Sequence, residues 1–197
     1  MSDKGLFKRA FDIISSVLFL LPTMPIILFI MLMLKITYKT QIFFLQERIG
    51  RNGRVFKIMK FRTMIEGAVD KGKGIFVEEN DSRITPIGTF LRKYSLDELP
   101  QIFNVLKGDM SIIGPRPPLI DYPYKFEDYP AEAKKRFNVL PGLTGLAQVM
   151  GRKDLNWEDR FPYDTYYAEN YEFWLDVIIL IKSVVIVAKS KGVYGDD

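Results

Sequence analysis

Asp97 and Glu98 stand side by side in Ser95-Leu96-Asp97-Glu98-Leu99-Pro100-Gln101, in a chain of 197 residues with no His and no Cys. Without those two residue types there is no imidazole base, no thiolate nucleophile, no disulfide and no Cys- or His-ligated metal site. Acid, base and nucleophile must then come from carboxylates, Lys, Tyr, Ser or Thr. Any metal site must be oxygen-rich, which favours Mg²⁺ or a similar hard ion. The segment carries two readings. In one, Ser95 and Glu98 form a capping box, or Asp97 is itself the N-cap, and Pro100 fits the first helical turn. In the other, two adjacent carboxylates at a helix N-terminus hold Mg²⁺, the helix end attracts a phosphate, and one carboxylate attacks phosphorus to give an acyl phosphate. A helix begins near Asp97 on either account.

Cations that could serve such a site recur along the chain. Arg116 lies in Gly114-Pro115-Arg116-Pro117-Pro118, where prolines restrict the backbone and suit the guanidinium to bidentate phosphate binding. Arg92 precedes the carboxylates by one or two turns. Lys60 and Arg62 alternate with Met59 and Phe61 and so share one strand face. Thr144, Gln148 and Arg152 follow in Gly142-Leu143-Thr144-Gly145-Leu146-Ala147-Gln148 and Gly151-Arg152. Each has an ordinary alternative as a turn or surface residue.

The elements that must position these groups begin with a membrane segment. Ile13 to Leu34 is 22 residues without a charge, long enough for a helix to cross a hydrocarbon core. Lys4, Lys8 and Arg9 precede it, and Lys35 and Lys39 follow. A signal peptide would show a small-residue cleavage site, and none follows the run. Pro22 and Pro25 lie at its centre, and each removes a backbone donor. Two basic flanks and a central break describe a re-entrant hairpin with both ends in the cytoplasm; a kinked transmembrane helix fits the composition equally well. Met1 to Thr63 carries 11 basic and three acidic residues, against 17 basic and 21 acidic in the remainder. That basic third suits anionic headgroups or substrate phosphates. Nucleic acid is a further reading of it, against which the apolar run argues.

Beyond the run, Gln41 to Thr63 reads as two strands around a Gly50-Arg51-Asn52-Gly53 turn. Glu66 to Ser82 reads as a loop, and Ile87 to Tyr94 as a helix. Leu96 to Leu106 reads as a second helix stopped by Gly108. Ser111 to Pro118 is extended, Pro130 to Val139 a short helix, and Pro141 to Gly145 a loop. Phe173 to Ala188 is apolar, yet too short and too charged to span. It is a core helix or one lying in the membrane interface.

These residues resemble the small monotopic phosphoglycosyl transferases, also called bacterial sugar transferases. The resemblance runs from Phe7-Lys8-Arg9 to the Phe173–Ala188 helix. Its marks are Phe56-Lys57-Ile58-Met59-Lys60-Phe61-Arg62-Thr63-Met64, the Ser95–Gln101 segment, Phe103-Asn104-Val105-Leu106-Lys107-Gly108-Asp109-Met110-Ser111, Gly114-Pro115-Arg116-Pro117, and Pro141 to Val149. The resemblance implies an α+β, mostly helical monotopic membrane protein with interfacial amphipathic helices and a small β element. Residues 1–40 would form a re-entrant helix-break-helix hairpin broken at Pro22 and Pro25, and residues 41–197 the catalytic domain. It implies transfer of a sugar 1-phosphate from a UDP-sugar to polyprenyl (undecaprenyl) phosphate, releasing UMP, in a ping-pong reaction through a phosphosugar-aspartyl intermediate. Asp97 would be the nucleophile and Glu98, with Asp97, the Mg²⁺ ligand. Lys60, Arg62, Arg92 and Arg116 would contact phosphates. The place would be the bacterial inner membrane, the site facing the cytoplasm, the partners membrane lipids and not nucleic acid; a homodimer is one assembly open to it. Three positions depart from the family pattern: Met24 before Pro25 in place of Ser, Leu140 in place of Arg, and Lys153 in place of Asn. A catalytically silent membrane scaffold for glycosyltransferases is the alternative from another class; the intact Asp97-Glu98 pair and Arg116 argue against it.

Overall fold

The computed structural model describes residues 3–38, 41–68, 81–151 and 155–189. Most of the expected Glu66–Ser82 loop lies outside them. The chain opens with helix α1 (Asp3–Tyr38), which contains both Pro22 and Pro25. It is one helix, where the prolines had suggested a helix-break-helix. Proline removes only its own donor and tolerates helical angles, so only the Leu18 and Leu21 carbonyls lose a helical partner; the Thr23 hydroxyl, between the prolines, back-bonds to the Phe19 carbonyl at 2.6 Å.

One side of α1 packs on protein along its length. Asp12, Ser16, Leu20, Ile27, Ile30 and Leu34 are buried. The other side presents large apolar residues to the outside, among them Leu18, Leu21, Leu28, Phe29 and Leu32. A continuous apolar face of this extent is not stable in water, so the protein is membrane-associated.

Tyr38 leads toward β1 (Phe43–Ile49), which pairs antiparallel with β2 (Val55–Phe61). Asn52 and Gly53 turn the chain between them with positive φ, as the Gly50–Gly53 turn required. The free edge of β2 is covered by one side chain: Asn104 accepts from Met59 N at 3.0 Å and donates to Lys57 O at 2.8 Å. Asn104 belongs to α3 (Gln101–Lys107), which follows α2 (Pro86–Lys93) and a single 3-10 turn at Leu96–Glu98. Gly108 ends α3 in the left-handed region at φ 91°, the expected stop.

A second small sheet pairs β3 (Ser111–Ile113) in parallel with β4 (Gly142–Thr144). Pro141 to Gly145 therefore contains a strand where a loop was expected. The strand depends on glycine. A Cβ on Gly142 would lie 2.1 Å from Gly114 N, and one on Gly145 2.1 Å from Gly114 O, so the two segments cross at backbone contact. Helix α4 (Ala131–Lys134), α5 (Leu146–Gly151), α6 (Trp157–Glu169) and α7 (Phe173–Lys189) complete the fold. The α7 helix is a core helix with a second, exposed apolar face. Asp176 and Ile179 are buried, while Trp174, Ile178, Ile181 and Val184 form an exposed apolar stripe.

The first and last helices meet over β3. Lys8 Nζ lies 2.6 Å from Asp176 Oδ2 and donates to Ile113 O at 3.1 Å, and Tyr167 donates to Asp176 Oδ1 at 2.7 Å. Burial pushes the Asp176 carboxyl up, while Lys8 and then the Tyr167 hydrogen bond pull it back. Asp12 Oδ1 accepts from Ser111 Oγ and Ile112 N, at 2.9 and 3.0 Å. Arg9 donates to the Val105 and Leu106 carbonyls at the C-terminal end of α3, where a cation complements the exposed carbonyl ends.

Candidate active site

The capping box is not formed. Ser95 is left-handed at φ 53°, and its side chain caps nothing. Helix α3 begins only at Gln101, so Asp97 and Glu98 occupy a 3-10 turn ahead of it. Glu98 turns away from its own backbone: its Oε1 lies 3.1 Å from Lys60 Nζ and 3.4 Å from Arg116 Nη2. Asp97 beside it is 9% exposed. Two cations from elements remote in sequence thus converge on one carboxylate, next to a second, nearly buried one. Local helix stability requires none of this.

Each cation has its own support. Lys60 is the last buried position of the β2 face that Phe56 and Ile58 line, so the apolar wall holds its stem and directs its ammonium to Glu98. Arg92, in the last turn of α2, is anchored through Nε to Thr63 Oγ1 at 2.8 Å, and its terminal nitrogens have no protein partner among the described residues.

Arg116 sits on a loop whose carbonyls are all engaged. Pro115 O accepts from Gly142 N at 2.9 Å, Arg116 O from Arg136 Nη2 at 2.8 Å, Pro117 O from Arg48 Nη1 at 3.1 Å, and Pro118 O from Ile49 N at 3.0 Å. Two of these four donors are guanidinium groups, on Arg48 and Arg136, exposed by only 2% and 1%. Arg136 is balanced by Asp164, whose Oδ2 accepts from it at 2.6 and 3.1 Å. Burial raises the Asp164 carboxyl, and the Arg136 charge opposes that rise. Arg48, Arg136 and Asp164 are absent from the sequence-level site. Arg136 falls in Pro130 to Val139, which reads there only as a short helix, and nothing local marks its partner.

Other expected contacts fall elsewhere. Arg62 follows β2 and donates to Gln41 Oε1 at 3.1 Å, so it diverges from Lys60 although the two positions share strand parity. The Thr144 hydroxyl lies 2.6 Å from Ser183 Oγ, which itself donates to Ile179 O, so Thr144 ties β4 to α7. Both amide atoms of Gln148 are buried without a protein partner. Arg152 and Lys153 lie outside the described residues. Among the described residues no group of three or more acidic side chains could hold a metal, so Asp97 and Glu98 are the candidate ligands as a pair.

The model of the bacterial sugar transferase family matches residues 3–190. The exopolysaccharide production protein ExoY of Sinorhizobium fredii is 37% identical over 96% of this chain and 89% of its own length. An undecaprenyl-phosphate galactose phosphotransferase of Salmonella typhimurium is 37% identical over 95% of this chain and 41% of its own. A UDP-N-acetylgalactosamine-undecaprenyl-phosphate N-acetylgalactosaminephosphotransferase of Aeromonas hydrophila is 37% identical over 94% of this chain and 44% of its own.

Proposed function

The chain belongs to the bacterial sugar transferase family, and from that premise we propose that it transfers a sugar 1-phosphate from a UDP-sugar to polyprenyl phosphate, releasing UMP. The observation that carries this reading is the Lys60–Glu98–Arg116 cluster beside Asp97. Two cations, from β2 and from the 114–118 loop, that converge on Glu98 beside the nearly buried Asp97 are suited to phosphoryl chemistry.

Asp97 is the nucleophile in this reading. A carboxylate oxygen forms a bond to the sugar-bearing phosphorus as the bond from that phosphorus to the UMP oxygen breaks, leaving an acyl phosphate on Asp97. The phosphate oxygen of the polyprenyl phosphate then attacks the same phosphorus and the Asp97 carboxylate is regenerated. The donor diphosphate and the acceptor phosphate are both anionic, so the cations serve both steps. Lys60, Arg92 and Arg116 screen the approach of anion to anion.

Mg²⁺ fits the donor set, because the two adjacent carboxylates are hard oxygen ligands. Glu98, with Asp97, would hold it. Bound there, it would supply further neutralisation of the diphosphate.

The proposed topology places both ends of α1 on the cytoplasmic side. Lys8 and Arg9 tie the start of α1 to α7 and α3, while Leu34 and Tyr38 at its other end join the same hydrophobic core. A helix anchored at both ends to one small domain does not carry those ends to opposite sides of a bilayer. The test of function is release of UMP on mixing enzyme, Mg²⁺, a UDP-sugar and a polyprenyl phosphate. UDP-galactose and UDP-N-acetylgalactosamine come first, as the sugars in the names of the Salmonella and Aeromonas relatives. No UMP from any donor would refute it.

A further inference from the structure

Arg160 is a half-buried cation in the first turns of α6. Its guanidinium carbon lies 5.1 Å from the centre of the Trp157 ring, and its Nε donates to Leu155 O at 3.1 Å. It forms no ion pair among the described residues. The nearest acid in charge terms, Asp164, gives Oδ2 to Arg136 and leaves Oδ1 without a hydrogen bond. Arg136 lies over the same Trp157 ring at 5.5 Å and holds the Arg116 carbonyl, so Arg160, Arg136 and Arg116 are consecutive neighbours. Burial and then the Arg116 charge depress the Arg160 pKa. Arg160 also occupies the N-terminal part of α6, the end at which the helix dipole opposes a cation.

Arg160, Arg136 and Arg116 have two carboxylates near them, Asp164 on Arg136 and Glu98 on Arg116, and Glu98 is shared with Lys60; cations outnumber acids, and an anion would complete the cluster. Arg136 is committed to Asp164 and the Arg116 carbonyl, and Arg48 to the Pro117 carbonyl and the Gln46 side chain. Arg160 keeps its two terminal nitrogens, locked in orientation by Trp157 and Leu155. We infer that Arg160 acts with Arg116 as a second phosphate-binding arginine, taking the phosphate monoester that leaves or enters the site. That chemistry has two sources, UMP and the polyprenyl phosphate acceptor. The inference rests on the proposed transfer reaction for its substrates.

The chain has two tryptophans, Trp157 and Trp174, and Trp174 is 71% exposed on α7. In a Trp174→Phe background, Trp157 reports directly on its neighbour Arg160. Titration with UMP, and separately with a short-chain polyprenyl phosphate, should shift Trp157 fluorescence saturably. Arg160→Gln should weaken at least one anion about 10-fold or more, and Arg160→Lys should restore only part of that. Weakening confined to UMP assigns the subsite to the nucleotide phosphate; weakening confined to the lipid phosphate assigns it to the acceptor. Unchanged affinity for both anions overturns the inference, and Arg160→Lys decides alone if Arg160→Gln does not fold. UMP release by the unsubstituted enzyme separates the two failures. Release with unaltered binding in the variants overturns the arginine subsite, whereas inactivity with altered anion binding overturns the reaction.

Discussion

Lys8 Nζ and Asp176 Oδ2 lie 2.6 Å apart across 168 residues of sequence, joining the first helix to the last over the β3 strand. The pair is more than a surface contact, since Asp176 is fully buried and also accepts from Tyr167. Removing one partner strands a buried charge, at a cost of about 3–5 kcal/mol. Asp176→Ala should therefore lower stability by that amount, and Asp176→Asn by less because it keeps an acceptor for Tyr167. Thermal denaturation in detergent checks both. Equal melting temperatures for Asp176→Ala and the parent would show that α1 docks through its apolar face alone.

Arg116 should be separable from its support. Arg116→Ala should cut turnover by about 10²-fold while the protein stays folded, because the loop carbonyls are held by Arg48, Arg136 and backbone donors. Arg116→Lys should recover little, since a point charge does not reproduce the planar fork. Asp164→Ala should instead destabilise the fold by about 3–5 kcal/mol, leaving Arg136 buried without its counter-ion. Steady-state kinetics paired with melting curves distinguishes the roles. Near-normal turnover in Arg116→Lys would reduce Arg116 to a general electrostatic contact.

The topology is checked by cysteine accessibility, because the chain has no native Cys. A cysteine introduced at Ser2, and another near Asp197, should both react with a membrane-impermeant reagent from the cytoplasmic face only. Labelling of the Ser2 cysteine solely from the periplasm would refute the two-ended attachment. Replacing Pro22 and Pro25 with Leu should leave this labelling pattern unchanged, because α1 is already one helix held to the domain at both ends.

Sequence legibility follows the range of the interactions. The β1–β2 hairpin was readable from its Gly50–Gly53 turn, and the end of α3 from Gly108, because both depend on local backbone geometry. Asp97 and Glu98 were readable by type and adjacency, but neither the missing Ser95 cap nor the meeting of Glu98 with Lys60 and Arg116, 38 and 18 residues away, was. Arg48, Arg136 and Asp164 were not legible. Their importance comes from carbonyls and charges brought close by folding, and in sequence they look like solvated charges. Asp12 looks like the polar border of an apolar run, yet it binds β3 from a fully buried position. Helix α6 was hidden by Pro162 within it and by the lack of a clear apolar stripe.

The nucleophile admits the sharpest test. A carboxylate is ionised at neutral pH and needs no general base, unlike Ser or Tyr, and the chain offers no His or Cys in its place. Glu98 is engaged by Lys60 and Arg116. In the proposed reaction Asp97 carries the covalent step, and Asp97→Asn, nearly isosteric, should leave the fold intact while reducing turnover by roughly 10⁴-fold or more. Glu98→Gln keeps Asp97 and should lower rate and Mg²⁺ dependence together, by about 10–100-fold. Intact mass spectrometry after mixing enzyme, Mg²⁺ and UDP-sugar without acceptor should show a phosphosugar adduct on the parent and none on Asp97→Asn. An adduct that persists in Asp97→Asn assigns the nucleophile to another residue. Absence of UMP release without acceptor would indicate direct transfer between the two substrates, with Asp97 left as a ligand and not as the attacking group.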